Sequence, residues 1–363
     1  MSATVQHHYE LYPYPHYPLL ASVRRCDTYA LNLESLWARF NGERPPAGAE
    51  KILIAGCGSF APYPYAVANP GAEITALDLS GKSLDRARLH CLLHGKLSIK
   101  YRCGDLLDPK TCDSRFGMID AFGVLHHLEH PLTGLKALAS RLCDGGIIRI
   151  MVYSRYARRE EESIRRALKL LRVHDTCTLK SMIARSRPNS RLRLYAGASS
   201  EARFDSGLAD ALLHPCVRTY RIEELMELVS SSGLTPLLFA HDNALDSVTE
   251  EVERIRALEA ERSSPGNFIL YLGRNVRGTC RENRDSLIKL NPCLNGSVGK
   301  FRIQSLRIAP RMGHETELLD RSKRQFLRRF IKPVKWSTLD EKTRAEAQAY
   351  IKSLFLLHYN LNP

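Results

Sequence analysis

From Lys51 onward, short apolar runs alternate with longer stretches of mixed polarity. Lys51-Ile-Leu-Ile-Ala55 is almost wholly apolar and stops at a glycine, which predicts a strand buried on both faces. Glu73-Ile-Thr-Ala-Leu-Asp78, Leu97 to Cys103, Met118 to Val124 and Ile147 to Tyr153 repeat the pattern. Between them lie three helix candidates: Pro64 to Ala68, Ser80 to His94 with Ser80 as N-cap, and Pro131 to Leu142 closing on Asp144-Gly-Gly146. Strand and helix taking turns at this spacing predicts an α/β fold with a parallel sheet covered on both faces.

The rhythm breaks after the fifth strand. Residues 155–200 carry twelve Lys/Arg against four Asp/Glu, start with a helix-like Arg155 to Leu171 and run into a Ser/Arg-rich stretch, Arg185 to Arg193. This segment, about 155–220, reads as an inserted helical cap. Helix Arg221 to Ser231, strand Leu234 to Ala240, helix Ser247 to Glu261 and strand Asn267 to Gly273 then resume the pattern. The chain therefore divides into a leader and helix (1–46), an α/β unit (47–275) and a basic C-terminal region (276–363) that ends in a helix around Leu339 to Tyr359.

Composition narrows the class. With 363 residues, 44% hydrophobic and 25% charged, the chain is long enough for a sizeable core and is neither disordered nor fibrous. It contains no apolar run of about 18 residues, so no transmembrane helix is expected. Met1 to Leu20 mixes His, Tyr and Pro and does not read as a signal peptide, which places the protein in the cytoplasm. Ten scattered cysteines form no Cys-x-x-Cys pair; the reading is buried thiols, with neither a metal site nor a disulfide framework. The net charge of +14 is uneven: residues 1–150 hold 16 Lys/Arg and 14 Asp/Glu, the remainder 37 and 25. A basic second half suits an anionic partner or a solvated surface.

Candidate chemistry sits at the strand ends. The first strand runs into Ala55-Gly56-Cys57-Gly58-Ser59-Phe60-Ala61, where glycines let the backbone approach a ligand that a Cβ would block. Asp78 ends the second strand, where a carboxylate can accept both hydrogen bonds of a ribose diol. Gly104-Asp105-Leu106 follows the third, where an acid can accept from an adenine amino group. Gly56-x-Gly58-x-x-Ala61 also satisfies a dinucleotide fingerprint, so a nicotinamide cofactor stays open on these residues alone.

Ile52-Leu-Ile-Ala-Gly-Cys-Gly58, Ala76-Leu-Asp-Leu-Ser80, Gly104-Asp-Leu106, Gly123-Val-Leu-His-His-Leu128 and Asp144-Gly-Gly146 together resemble the successive motifs of class I S-adenosylmethionine-dependent methyltransferases, in order and spacing. Tyr9-Glu-Leu-Tyr-Pro-Tyr-Pro15 resembles the Tyr-Pro-rich leader of a bacterial branch. The resemblance covers roughly residues 47–275 and implies a Rossmann-like, doubly wound, seven-stranded sheet whose last strand is antiparallel. It implies S-adenosylmethionine as cofactor, with Gly56, Cys57 and Gly58 along the methionine portion, Asp78 and Leu79 at the ribose, Asp105 and Leu106 framing the adenine, and Gly123, Val124 and Leu125 beneath the sulfonium. Two positions depart from the family: the acid that often opens the glycine motif is Ile54 here, and the third glycine is Phe60. Contact to the methionine amino group must then come from elsewhere, from backbone carbonyls or the leader.

His127 follows at the pocket mouth and is the candidate general base, since imidazole titrates near neutral pH. Tyr9, Tyr12, Tyr14 and Tyr17, interleaved with Pro13, Pro15 and Pro18, read as a stiff extended strip unable to form a helix, and Tyr9 as part of a cofactor lid. Tyr153, Asp205, Asp210 and His214 are candidates for an acceptor site. In Arg321 to Lys335, helical spacing puts Phe326 and Phe330 on a core and leaves Arg324, Arg328, Arg329 and Lys332 solvated. No nucleic-acid-binding module is evident, so the acceptor is read as a small molecule or a peptide/protein side chain rather than RNA. The rivals are an NAD(P)-dependent oxidoreductase and a non-catalytic cofactor-binding scaffold.

Overall fold

The structure, a computed structural model, describes residues 3–112, 114–281, 283–299, 304–314 and 317–361. The chain opens with α1 (Ala3–Leu11) and α2 (Leu33–Asn41), then runs through β1 (Lys51–Ala55), α3 (Pro62–Ala68), β2 (Glu73–Asp78), α4 (Gly81–Leu93), β3 (Ile99–Cys103), β4 (Phe116–Phe122), α5 (Pro131–Ser140) and β5 (Leu142–Val152). Four cap helices follow: α6 (Arg159–Leu170), α7 (Thr176–Arg185), α8 (Arg191–Ala198) and α9 (Asp205–Leu213). Then come α10 (Ile222–Ser232), β6 (Thr235–Phe239), α11 (Val248–Ala260) and β7 (Phe268–Gly273).

Seven strands form one sheet in the order β3-β2-β1-β4-β5-β7-β6. All pairs from β3 to β5 are parallel, and β7 runs antiparallel to both β5 and β6. Alternation along β1 explains why the strand is apolar throughout: Ile52 and Ile54 pack into one hydrophobic cluster, Leu53 and Ala55 into another on the opposite face. Ser80 caps α4, its side chain accepting from Ser83 N–H. The cap helices bury their own small cluster around Ile164, Leu168, Leu179, Leu208 and Leu212. No helix among the described residues is long and apolar enough to cross a membrane.

Beyond β7 the chain builds β8 (Leu287–Leu290), the hairpin pair β9 (Leu306–Ile308) and β10 (Glu317–Leu319), α12 (Arg321–Arg328), β11 (Val334–Lys335), α13 (Glu341–Lys352) and β12 (Leu356–Tyr359). β8 lies between β11 and β12, antiparallel to both. Ile288, Leu290, Phe330, Trp336 and Phe355 join the same cluster as Leu36, Trp37 and Ile52, so the core is continuous from the sheet into this region.

Four expectations need correction. The expected helix from 339 to 359 is instead α13 followed by strand β12, because the chain reverses at Ser353 and Leu354, the latter at φ 65°. The N-terminal strip is not wholly extended: α1 includes Tyr9, since the first proline comes only at position 13. Arg324 is not solvated but buried, with its Nε donating to the Asp320 carbonyl at 3.1 Å, whereas Phe326 and Phe330 are buried as expected. The cysteines are all free thiols, but only Cys26, Cys57, Cys91 and Cys293 are buried, and Cys103 and Cys177 are exposed.

Candidate active site

At the carboxyl edge of the sheet lies a cavity of about 490 Å³. The glycine loop after β1, Asp78 and Leu79 after β2, and Gly123 and Val124 after β4 all line it, because parallel strands ending on one edge bring their following turns together. Tyr9, Gly56, Cys57, Gly58 and His127 line it as well. Asp105, Leu106 and Leu125 do not. Leu106 and Leu125 are buried in the core beneath the sheet edge, and the Asp105 carboxylate accepts the N–H of Leu107 at 2.8 Å, closing its own turn.

The glycine loop is shaped by the leader. Gly58, at φ +55°, sits so close to the leader that a Cβ would stand 2.5 Å from the Tyr14 carbonyl oxygen. Ser59 N–H donates to that carbonyl at 3.1 Å, and Ser59 Oγ donates to the Pro15 carbonyl. Ser80 Oγ donates to the Tyr9 carbonyl at 3.2 Å, and Arg86 to the Tyr17 carbonyl at 2.6 Å. Phe60, where the family has its third glycine, stacks on Tyr17 at 4.1 Å between ring centroids. The aromatic residue thus anchors the leader across the loop.

Asp78 is buried, and its carboxylate accepts the N–H of Gly58 at 2.7 Å and of Ser80 at 2.9 Å. Burial pushes its pKa up, and those N–H groups pull it back. A carboxylate offers about four lone-pair sites, and with the Leu79 N–H also bonded to it one remains for a ligand. A further acid was not singled out from sequence. Asp120 of β4 lines the cavity as the register partner of Ile54, the position where the family's acid is missing. Arg149, opposite it on β5, grips it bidentately at 2.7 and 3.1 Å. The signal was available: Asp120 is the one charge in the apolar run of β4, and Arg149 the one charge in the apolar run Ile147 to Val152 of β5, of opposite sign.

On the cap side, Tyr153, Arg158, Glu201, Asp210 and Asn267 complete the lining. Tyr9 Oη donates to the buried Asp210 carboxylate at 3.0 Å, which ties the leader to α9. His16 stacks on Phe204 at 4.7 Å, a second tie from leader to cap. His214 lies outside the lining but packs on His127 at 3.8 Å between centroids, and Asp205 is exposed and ion-paired with Lys180. His127 Nδ1 meets the Cys216 carbonyl at 2.9 Å, so the ring proton sits on Nδ1 and Nε2 keeps its lone pair. Burial lowers the His127 pKa to about 4 despite that carbonyl, and the ring is neutral at pH 7. His126 is buried and stacks on Tyr153 at 3.7 Å, a packing role.

Residues 53–150 match the family described as Methyltransferase domain. Over these residues the chain is similar to a methyltransferase domain. An uncharacterized protein from Synechococcus sp. is 34% identical over 243 residues, which is 64% of this chain and 58% of that one. A ubiquinone biosynthesis O-methyltransferase from Idiomarina loihiensis is 35% identical over 102 residues, 27% of this chain and 40% of that one. The chain thus spans less than two thirds of the length of each of these relatives. Among solved structures, that of PKMT2 from Rickettsia typhi in complex with AdoHcy shares the fold at a TM-score of 0.53 and 14% identity, covering 95% of this chain and 77% of the other.

Proposed function

We propose that the protein transfers a methyl group from S-adenosylmethionine to a small-molecule or peptide/protein acceptor by in-line displacement. The observation that carries this is the cavity itself, where the glycine loop, Asp78 and Asp120 converge on one edge of the sheet. Its charge suits a cationic donor. Four acids line it, Asp78, Asp120, Glu201 and Asp210, against two arginines, Arg149 and Arg158. A dinucleotide would bring an anionic pyrophosphate to the same wall, which disfavours the oxidoreductase reading.

The donor supplies a methyl group already activated by the positive sulfonium. Asp78 offers its remaining acceptor site to the ribose diol, Gly56, Cys57 and Gly58 present backbone to the methionine portion, and Asp120 supplies the carboxylate for its amino group. Gly123 and Val124 floor the cavity between these and the cap. Alignment of donor and nucleophile supplies about 7–11 kcal/mol of barrier lowering. His127 lines the cavity as a neutral ring able to take the proton of an O- or N-nucleophile, but a pKa lowered to about 4 makes it a weaker base than the near-neutral imidazole the sequence suggests. Tyr153 and Asp210 flank the acceptor side, and the leader with Tyr9 roofs the site. Free thiols throughout support a reducing, cytoplasmic setting.

Calorimetry with S-adenosylhomocysteine and with NADH tests the cofactor. The former binds wild type, and Asp78→Ala weakens it by about 1.5–3 kcal/mol per charge-assisted bond lost. Tight binding of NADH alone refutes the proposal. Incubating labelled S-adenosylmethionine with fractionated lysate then reports the acceptor's mass; absence of transfer to any fraction favours the scaffold reading.

A further inference from the structure

A second pocket, of about 260 Å³, lies between α2 and the C-terminal elements α13 and β12, and shares no lining residue with the first. Arg39 of α2 reaches into it. The residue is half-buried, and its Nε is shut off from solvent with no hydrogen-bond partner. Lys352 of α13 is the other cation in the lining, with Thr279 and Gln348 adding polar groups and no carboxylate among them. The acid that acts on Arg39 from outside is Asp246, and it is already engaged by Lys352 at 3.0 Å and by His314 at 4.0 Å.

Shutting part of a cation off from solvent without a close counter-ion is costly, and proteins seldom do so unless something compensates it. Desolvation accordingly lowers the Arg39 pKa. The planar guanidinium fork matches carboxylate and phosphate oxygens bidentately. We infer that this pocket binds a small ligand bearing a carboxylate or phosphate, with Arg39 as its main contact. The site is independent of the methyl-donor cavity. An occupant would bridge α2, which follows the leader, to the C-terminal elements.

The test uses the full chain. Thermal unfolding midpoints are followed against inorganic phosphate and against succinate, each at constant ionic strength set with chloride. Wild type should gain stability along a saturable curve with at least one of the two anions. Arg39→Met should weaken that anion about ten- to a hundredfold, the loss of one charge-assisted donor. Without anion, Arg39→Met should be at least as stable as wild type, because it removes a half-buried charge without a close counter-ion. The dissociation constant should not change when S-adenosylhomocysteine is present at saturation, so failure here leaves the methyl-donor reading untouched. A linear, non-saturating response to both anions, or an equal response in wild type and Arg39→Met, overturns the inference. If Arg39→Met does not fold, Arg39→Lys keeps the charge but loses the fork; unchanged affinity in that variant overturns it equally.

Discussion

Tyr9→Phe removes one hydroxyl and leaves the ring in place. In the structure that hydroxyl donates at 3.0 Å to Asp210, a carboxylate only 3% exposed. A hydrogen bond to a charged group contributes about 1.5–3 kcal/mol, and at this burial solvent screening reduces it little. Part of the loss is avoided if Asp210 takes a proton, since burial already raises its pKa. A double-mutant cycle of Tyr9→Phe, Asp210→Asn and both, read by urea unfolding at pH 7.5, isolates the pair. The expected coupling is about 1–3 kcal/mol, in the range of directly contacting residues. Because the Tyr9 carbonyl also receives Ser80 Oγ beside Asp78, loosening the ring should weaken S-adenosylhomocysteine binding too. Coupling below about 0.5 kcal/mol, the level of independent sites, together with unchanged affinity, would refute the view that this pair clasps the leader over the site.

Gly58→Ala combines a left-handed backbone, which costs about 1–2 kcal/mol, with a Cβ 2.5 Å from the Tyr14 carbonyl oxygen. The leader must shift, and calorimetry should register S-adenosylhomocysteine binding weakened about tenfold or more; wild-type affinity would contradict the close approach. His127→Gln should lower the transfer rate by about 10² at most, the low end for a base whose pKa lies far below the working pH. With its pKa held near about 4, the wild-type pH–rate profile should lack an acid limb around 6.5, and such a limb attributable to His127 would rule out the buried neutral ring. Stability should fall in acid. His8 and His127, both lowered to about 4 by burial, bind fewer protons folded than unfolded. Their contribution is full above pH 6.5 and lost as pH falls toward 4, about 3 kcal/mol each. The raised carboxyls Asp78 and Asp210 act in the opposite sense. The comparison is therefore wild type against His8→Gln, whose urea midpoint should decline less between pH 7 and 5; an equal decline would show His8 is not the acid-sensitive group.

Local sequence was enough for the α/β frame. Four buried strands and an exposed edge strand, the Ser80 cap and the glycine turn follow from apolar runs, side-chain hydrogen bonding and backbone sterics acting within a few residues. Strand ends on one edge then bring Gly56 to Gly58, Asp78 and Gly123 to one cavity, so most of the site was legible without a structure. Asp105 and Leu106 were not, because whether a turn residue faces a ligand or closes its own loop depends on side-chain rotation that spacing does not encode.

What tertiary structure alone decided concerns contacts between distant segments. No periodicity relates Tyr14 to Gly58, Tyr9 to Asp210, or Ile54 to Asp120, yet these pairs determine who roofs the cavity and where its acids stand. The same holds for Leu356 to Tyr359, an apolar run compatible with helix or strand until β8 offered it a hydrogen-bonding edge. Arg39 makes the point most plainly: on sequence it is one more basic residue of an amphipathic helix, and only the elements packed beside it shut its Nε off from solvent. Burial is a property of what arrives from elsewhere in the chain, and long-range packing energy outweighs local preference wherever the two differ.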